Sequence, residues 1–138
     1  MGSGVVRWGR AGAGYDLVVT ALFATPWTAG LVFDAMRAVH EGLGVGGAPP
    51  PSMNGTALLM TSLFGVVVVM WSIARWVRPE PVLIGMDTAG RLVFSAWFTW
   101  ALVQGESRVL VAFLVLELAW ALVQGWAVVG QYRGRAHR

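Results

Sequence analysis

"VLVAFLVLELAWALVQGWAVVG" (Val109–Gly130) carries a single charge, Glu117, in an otherwise apolar run. A helix needs about 20 mostly apolar residues to cross a bilayer, and this run meets that length. Inside lipid it must be helical, because a lone strand would leave its backbone groups unpaired. Three further segments read the same way. Leu17–Phe33 is uncharged and reaches Met36 if Asp34 is admitted at its end, and Gly55–Ala74 is uncharged throughout. Leu92–Gly105 is short, but gains spanning length if its helix starts near Gly85 and takes in Asp87 and Arg91.

The expectation is an all-α polytopic membrane protein. Its single domain (1–138) holds four transmembrane helices, at about 16–36, 55–76, 86–105 and 109–131. Both termini are cytoplasmic and a long outer loop covers 37–54. That loop is rich in Gly and contains Pro49-Pro50-Pro51. The "GESR" turn at Gly105–Arg108 is so tight that the last two helices must form an antiparallel hairpin.

Composition agrees. The chain is 57% hydrophobic and 12% charged, whereas soluble domains carry about a quarter of their residues as charges. It holds eight Trp, a residue favoured at lipid interfaces. All ten basic residues are Arg, and they flank the apolar runs rather than clustering as a nucleic-acid-binding patch. With the N-terminus inside, Arg7, Arg10, Arg75, Arg78, Arg91, Arg133, Arg135 and Arg138 count as cytoplasmic, and Arg37 and Arg108 as outer. Arg7 and Arg10 ahead of an apolar stretch also fit a signal peptide, but the run is too long and no clear cleavage site follows, so a retained anchor is expected. The Arg- and Gly-rich style points to a bacterial inner membrane.

The absence of Cys excludes disulfides, thiolate-held metals and a thiol nucleophile. "GLGVGG" precedes prolines and opens no helix, so it is no nucleotide-binding loop. His40 and His137 fall on opposite sides of the membrane. No cofactor and no metal site is expected.

Polar residues inside the apolar runs are the candidate site. Glu117, Trp120 and Gln124 follow helical spacing and form a stripe through the middle of the last helix. A carboxylate at that depth costs about 2.5–3.5 kcal/mol on insertion scales, so it should face the bundle interior, paired or protonated. In the first helix Asp16, Thr20, Trp27 and Asp34 make a matching stripe, with a kink expected at Pro26. "WALVQG" recurs at Trp100–Gly105 and Trp120–Gly125; the first copy ends a helix, where Trp100 is an interfacial anchor. Gly14–Thr25 aligns without a gap on Gly85–Ala96, matching Asp16 to Asp87, and both aspartates read as helix caps. Asp87 precedes Arg91 by one turn, the favourable order for an ion pair.

"LVFDAMRAV" (Leu31–Val39) and "FLVLEL" (Phe113–Leu118) are similar to the acidic helix segments of the EXPERA group, which includes sterol isomerases. The second segment stands in a later helix than in that group. That resemblance implies Asp34 and Glu117 as a catalytic acid and base. The four-helix size also resembles small multidrug transporters, although those carry a Glu in their first helix and this chain does not.

Three functions are open on these grounds. The leading expectation is a non-catalytic membrane component, either a partner subunit in a homo-oligomer or with another membrane protein, or a binder of a lipophilic small molecule through Trp120, Gln124 and Trp27. The alternatives are a membrane-embedded isomerase acting through Glu117 and Asp34, and a small proton-coupled transporter. The topology has a direct test, because the native chain offers no thiol: cysteines introduced at Gly46 and Arg78 should label from opposite sides of the membrane. Labelling of both from one side would overturn the four-helix map.

Overall fold

The structure, a computed structural model, describes residues 3–136, with side chains described from 4 to 134. It is all-α, with five α-helices: α1 (Ser3–Thr20), α2 (Pro26–Leu43), α3 (Gly55–Val77), α4 (Pro81–Val103) and α5 (Leu110–Ala136). A short 3-10 turn, Ala21–Phe23, follows α1. Among the described residues the one β feature is an isolated bridge between Ala48 and Glu106. Two helical stretches, Gly55–Val77 and Leu110–Gly134, are long and apolar enough to cross a membrane. A third qualifies if α1 and α2 count together as one broken span.

That break corrects the first expected helix. The segment 16–36 is not one kinked rod but parts of two helices bent by 98°. Pro26 has no N–H to continue α1, and it keeps Thr25 extended (φ −133°, ψ 146°). Thr25 then caps the new helix, its hydroxyl accepting from the Thr28 N–H at 3.2 Å. Pro26 occupies the first turn, where a missing donor costs nothing. The stripe Asp16–Thr20–Trp27–Asp34 is therefore split between two directions.

α4 also differs from its expected range of 86–105. Pro81 starts it at the first-turn position after an extended Glu80. Asp87 thus lies within the helix rather than capping it. The same holds for Asp16, deep in α1 because that helix begins at Ser3. α3 is capped by Asn54, whose side chain accepts from the Ala57 N–H at 2.8 Å.

The loop after α2 is held against the α4–α5 turn. Ala48 N–H donates to the Gly105 carbonyl (2.7 Å) and Arg108 N–H to the Gly46 carbonyl (3.0 Å). His40, buried at the end of α2, bonds the Ser107 hydroxyl at 2.7 Å. Gly47 is at φ 96°, and a Cβ there would strike the Glu106 carbonyl, so the close approach needs glycine.

α4 and α5 form the expected hairpin, with Phe98 stacked on Phe113 at 6.0 Å between centroids. α1 lies between α3 and α5. Two glycines permit this: Gly12 faces Trp120 and Gln124, and Gly65 meets the end of α1's 3-10 turn. The molecule is apolar outside and polar within. Phe64, Val67, Met70, Trp97 and Trp126 are exposed, whereas Asp16, Ser72, Arg75, Asp87, Arg91, Ser95 and Gln124 are buried. Water would not favour that arrangement, and lipid would.

A Cβ on Gly65 would stand 2.5 Å from the Phe23 carbonyl group, a backbone contact that cannot rotate away. Gly65→Ala is therefore expected to cost about 1–3 kcal/mol through overpacking. Gly90→Ala in α4, where a Cβ meets nothing within 4 Å, should cost nothing. Denaturant titration in mixed micelles, followed by far-ultraviolet circular dichroism, checks both.

Candidate functional site: a buried ring of charge

Four helices each send ionic side chains to one place. α1 contributes Asp16, α3 contributes Arg75, α4 contributes Asp87 and Arg91, and α5 contributes Glu117 with Gln124. The charges alternate around a closed ring. The Arg75 guanidinium donates to Asp16 Oδ2 and to Asp87 Oδ2, each at 2.5 Å. Arg91 closes the ring from the other side, through Nη2 to Asp16 Oδ2 at 2.6 Å and Nε to Asp87 Oδ2 at 3.1 Å. Glu117 hangs on the ring by one bond, Oε2 accepting from Arg91 Nη1 at 2.9 Å.

Neutral polar groups line the ring, although Arg75 Nε and Gln124 Nε2 are buried without a partner among the described residues. Trp71 Nε1–H donates to Asp87 Oδ1 at 3.2 Å, the Ser72 hydroxyl accepts from Arg75 at 3.2 Å, and Gln124 Oε1 accepts from Arg91 at 3.2 Å. Two indoles flank the cations, Trp71 with Arg75 at 5.8 Å and Trp120 with Arg91 at 5.9 Å. Tyr15 in turn packs on Trp120, with centroids 5.4 Å apart.

Helical spacing positions these groups. Ser72 and Arg75 are one turn apart on α3, Asp87 and Arg91 one turn apart on α4, and Glu117, Trp120 and Gln124 run along one face of α5. Arg75 and Gln124 are fully buried. Taking a charge out of water costs several kcal/mol per ion, recovered only where partners and geometry are good. Here each Arg answers two Asp carboxylates. With all five groups ionised, the ring itself is neutral and Glu117 adds one negative charge.

The expected site residues divide into two sets. Glu117, Trp120 and Gln124 meet at the ring, and the Asp87–Arg91 pair forms as its spacing suggests. Asp34 and Trp27 lie elsewhere. Asp34 is exposed on α2 and pairs with Arg37 of its own helix at 3.3 Å, while Trp27 is 80% exposed. The reason is the break at Pro26, which turns α2 away from the axis of α1. Asp16 and Asp87, read as caps, are ring members; Arg75, read as a flanking cation, and Arg91, read as the partner of Asp87, each bridge both of them. Arg75 was hidden because it follows an uncharged run and looks like a terminal anchor. The available signal was the balance of charge: the apolar segments contain two arginines and several carboxylates, and buried charges must find one another.

Among the described residues, no group of three or more His, Cys, Asp or Glu is arranged to hold a metal ion. His137 lies outside the described residues. No protein-family model, curated protein or solved structure matches the chain. The segments resembling the EXPERA group accordingly place one carboxyl, Glu117, at the ring and leave Asp34 outside it.

The ring ranks the cost of its members. Asp16→Ala removes the carboxylate that both arginines share and is expected to lose about 3–5 kcal/mol, the cost of leaving buried charge unpaired. Glu117→Gln should lose clearly less, because Glu117 has a single ionic partner and is partly exposed. Equal losses in the same micellar titration would contradict the ring as the organising contact.

Proposed function

We propose that the protein is a non-catalytic component of a membrane, with the charge ring serving as the fixed internal clasp of its helices. The observation that carries this reading is the mutual pairing at the ring: both aspartates face both arginines, and Glu117 is bound to one of them. An acid–base catalyst needs a carboxyl free to face its substrate, and the pairing of Asp34 with Glu117 finds no support in their positions. Around the clasp the apolar surface points outward. Little of α3 and α5 is buried within the chain, which leaves broad faces for lipid or a partner helix.

In this reading α1, α3, α4 and α5 cross the membrane, and α2 lies across the outer end, tied there by His40 and the 46–48 loop. α4 crosses despite its charges because Asp87 and Arg91 turn inward. The bias of Arg supports cytoplasmic termini after one adjustment. Arg75 and Arg91 leave the count as ring members, so eight against two becomes six (Arg7, Arg10, Arg78, Arg133, Arg135, Arg138) against two (Arg37, Arg108). A bacterial inner membrane remains the proposed location, and a homo-oligomer or a complex with another membrane protein the proposed state.

The test is the mass of the particle released gently from its own membranes, wild type beside Glu117→Gln. The expected result is an assembly of fixed stoichiometry in the wild type, unchanged in composition in the variant, because the lipid-facing surfaces make the contacts. A monomer carrying a small apolar molecule that Glu117→Gln releases would replace this reading with a ligand-binding or catalytic one.

A further inference from the structure

Away from the ring, a groove of about 520 Å³ runs between the start of α1 and the second half of α5. Gly4, Val5 and Trp8 form one wall and Trp126, Gly130 and Gln131 the other. Its size falls among pockets that hold small lipophilic ligands. Toward the ring it is closed where Gly12 packs against Trp120 and Gln124. At Gly4 and Gly130 the walls face open space, since a Cβ on either would meet nothing within 4 Å.

The charge at this end is mainly positive, with Glu80 in the α3–α4 turn as a lone carboxylate among the described residues. Neither residues 1–15 nor residues 118–138 contain a carboxylate, while Arg7, Arg10, Arg133 and Arg135 all fall there. The Arg7 guanidinium sits 5.0 Å from the ring of Trp8, whose indole lines the groove. Arg133 follows Gly130 by about one turn on α5, at the groove's open end. Arg10 is held by its Nε to the Trp76 carbonyl at 3.2 Å. One polar group in the groove is unanswered: Gln131 Oε1 is buried and has no hydrogen-bond partner among the described residues.

We infer that this groove binds one anionic phospholipid, its acyl chain lying between Trp8 and Trp126 and its phosphate between Arg7 and Arg133. The inference rests on the membrane reading proposed above. Apolar walls suit the chain, the arginines suit the phosphate, and a head-group hydroxyl supplies the donor that Gln131 Oε1 lacks. Phosphatidylglycerol combines all three features. A second copy of the chain fits less well, since a symmetric contact here would set Arg7 and Arg133 against their own kind.

The protein is reconstituted in nanodiscs of equal phosphatidylcholine and phosphatidylglycerol, then released for native mass spectrometry. The wild type is expected to keep one phosphatidylglycerol. Arg7→Gln and Arg133→Gln should each lower the retained fraction about fivefold, the effect of one basic residue near an anionic surface. Gly130→Leu fills open space and should abolish retention while the helical spectrum and thermal unfolding stay as in the wild type. Equal retention of both lipids, or unchanged retention in Gly130→Leu, overturns the proposal. A lipid-free dimer that Gly130→Leu splits overturns it as well and assigns the groove to a second copy. Flotation with vesicles distinguishes membrane association from the lipid site. A chain that fails to float refutes the membrane reading, whereas one that floats but shows no preference for phosphatidylglycerol refutes the lipid site alone.

Discussion

Desolvation of five ionisable side chains is the constraint from which the rest of this molecule follows. Asp16, Arg75, Asp87, Arg91 and Glu117 sit in a protein whose outer surface is apolar, and each is acceptable there only because the others are present. The ring needs α1, α3, α4 and α5 at once. Three of them contribute one ionic residue each, and no helix satisfies its own charges alone. Even the Asp87–Arg91 pair, local to α4, leaves the second face of each group to be met from α1, α3 and α5. A contact set of that kind fixes register. Sliding one helix by a single turn moves its charge about 5 Å and breaks at least two bonds.

Other features serve that register. Gly65 lets α1 end against the backbone of α3, and Gly12 lets it approach Trp120 and Gln124, so that Asp16 arrives between the two arginines. Trp71 and Trp120 place π faces beside the guanidinium groups and exclude solvent from the arginine faces not engaged by carboxylates. At the opposite end from the lipid groove, the loop after α2 is fastened to the α4–α5 turn by backbone pairing and the buried His40–Ser107 bond. α2 is thereby held at both ends, by Thr25 and Pro26 where it starts and by His40 where it stops.

Among the described residues few large apolar side chains are buried: Val5 and Ile84 are the bulkiest of the buried hydrophobic set, alongside three alanines. In water such a core would be too small to hold five helices. In lipid the hydrophobic effect no longer drives helices together, and small residues with polar contacts carry the packing instead. The inventory here, glycines at the crossings and ionic groups at the centre, is that of a chain whose solvent is a bilayer.

The sequence by itself determined the helical class, the apolar segments later occupied by α3 and α5, the α4–α5 hairpin, and the inward-facing stripe Glu117–Trp120–Gln124. All of these depend on local quantities: apolar run length, loop length and the 3.6-residue period. The local i,i+4 spacing also sufficed for Asp87 with Arg91. Tertiary structure alone decided the rest. Pro26 predicted a kink, but whether the chain bends gently or turns by 98° depends on what α2 finds to bind beyond the break, namely α3 and the Ser107 turn. The roles of Asp16 and Arg75 were equally out of reach, since a carboxylate near a helix start reads as a cap and an arginine at a helix end reads as an anchor. They are separated by 59 positions in the chain, and no local pattern connects them. They meet because a buried charge is tolerated only beside its opposite, a condition that the folded arrangement of four helices satisfies and no single segment can.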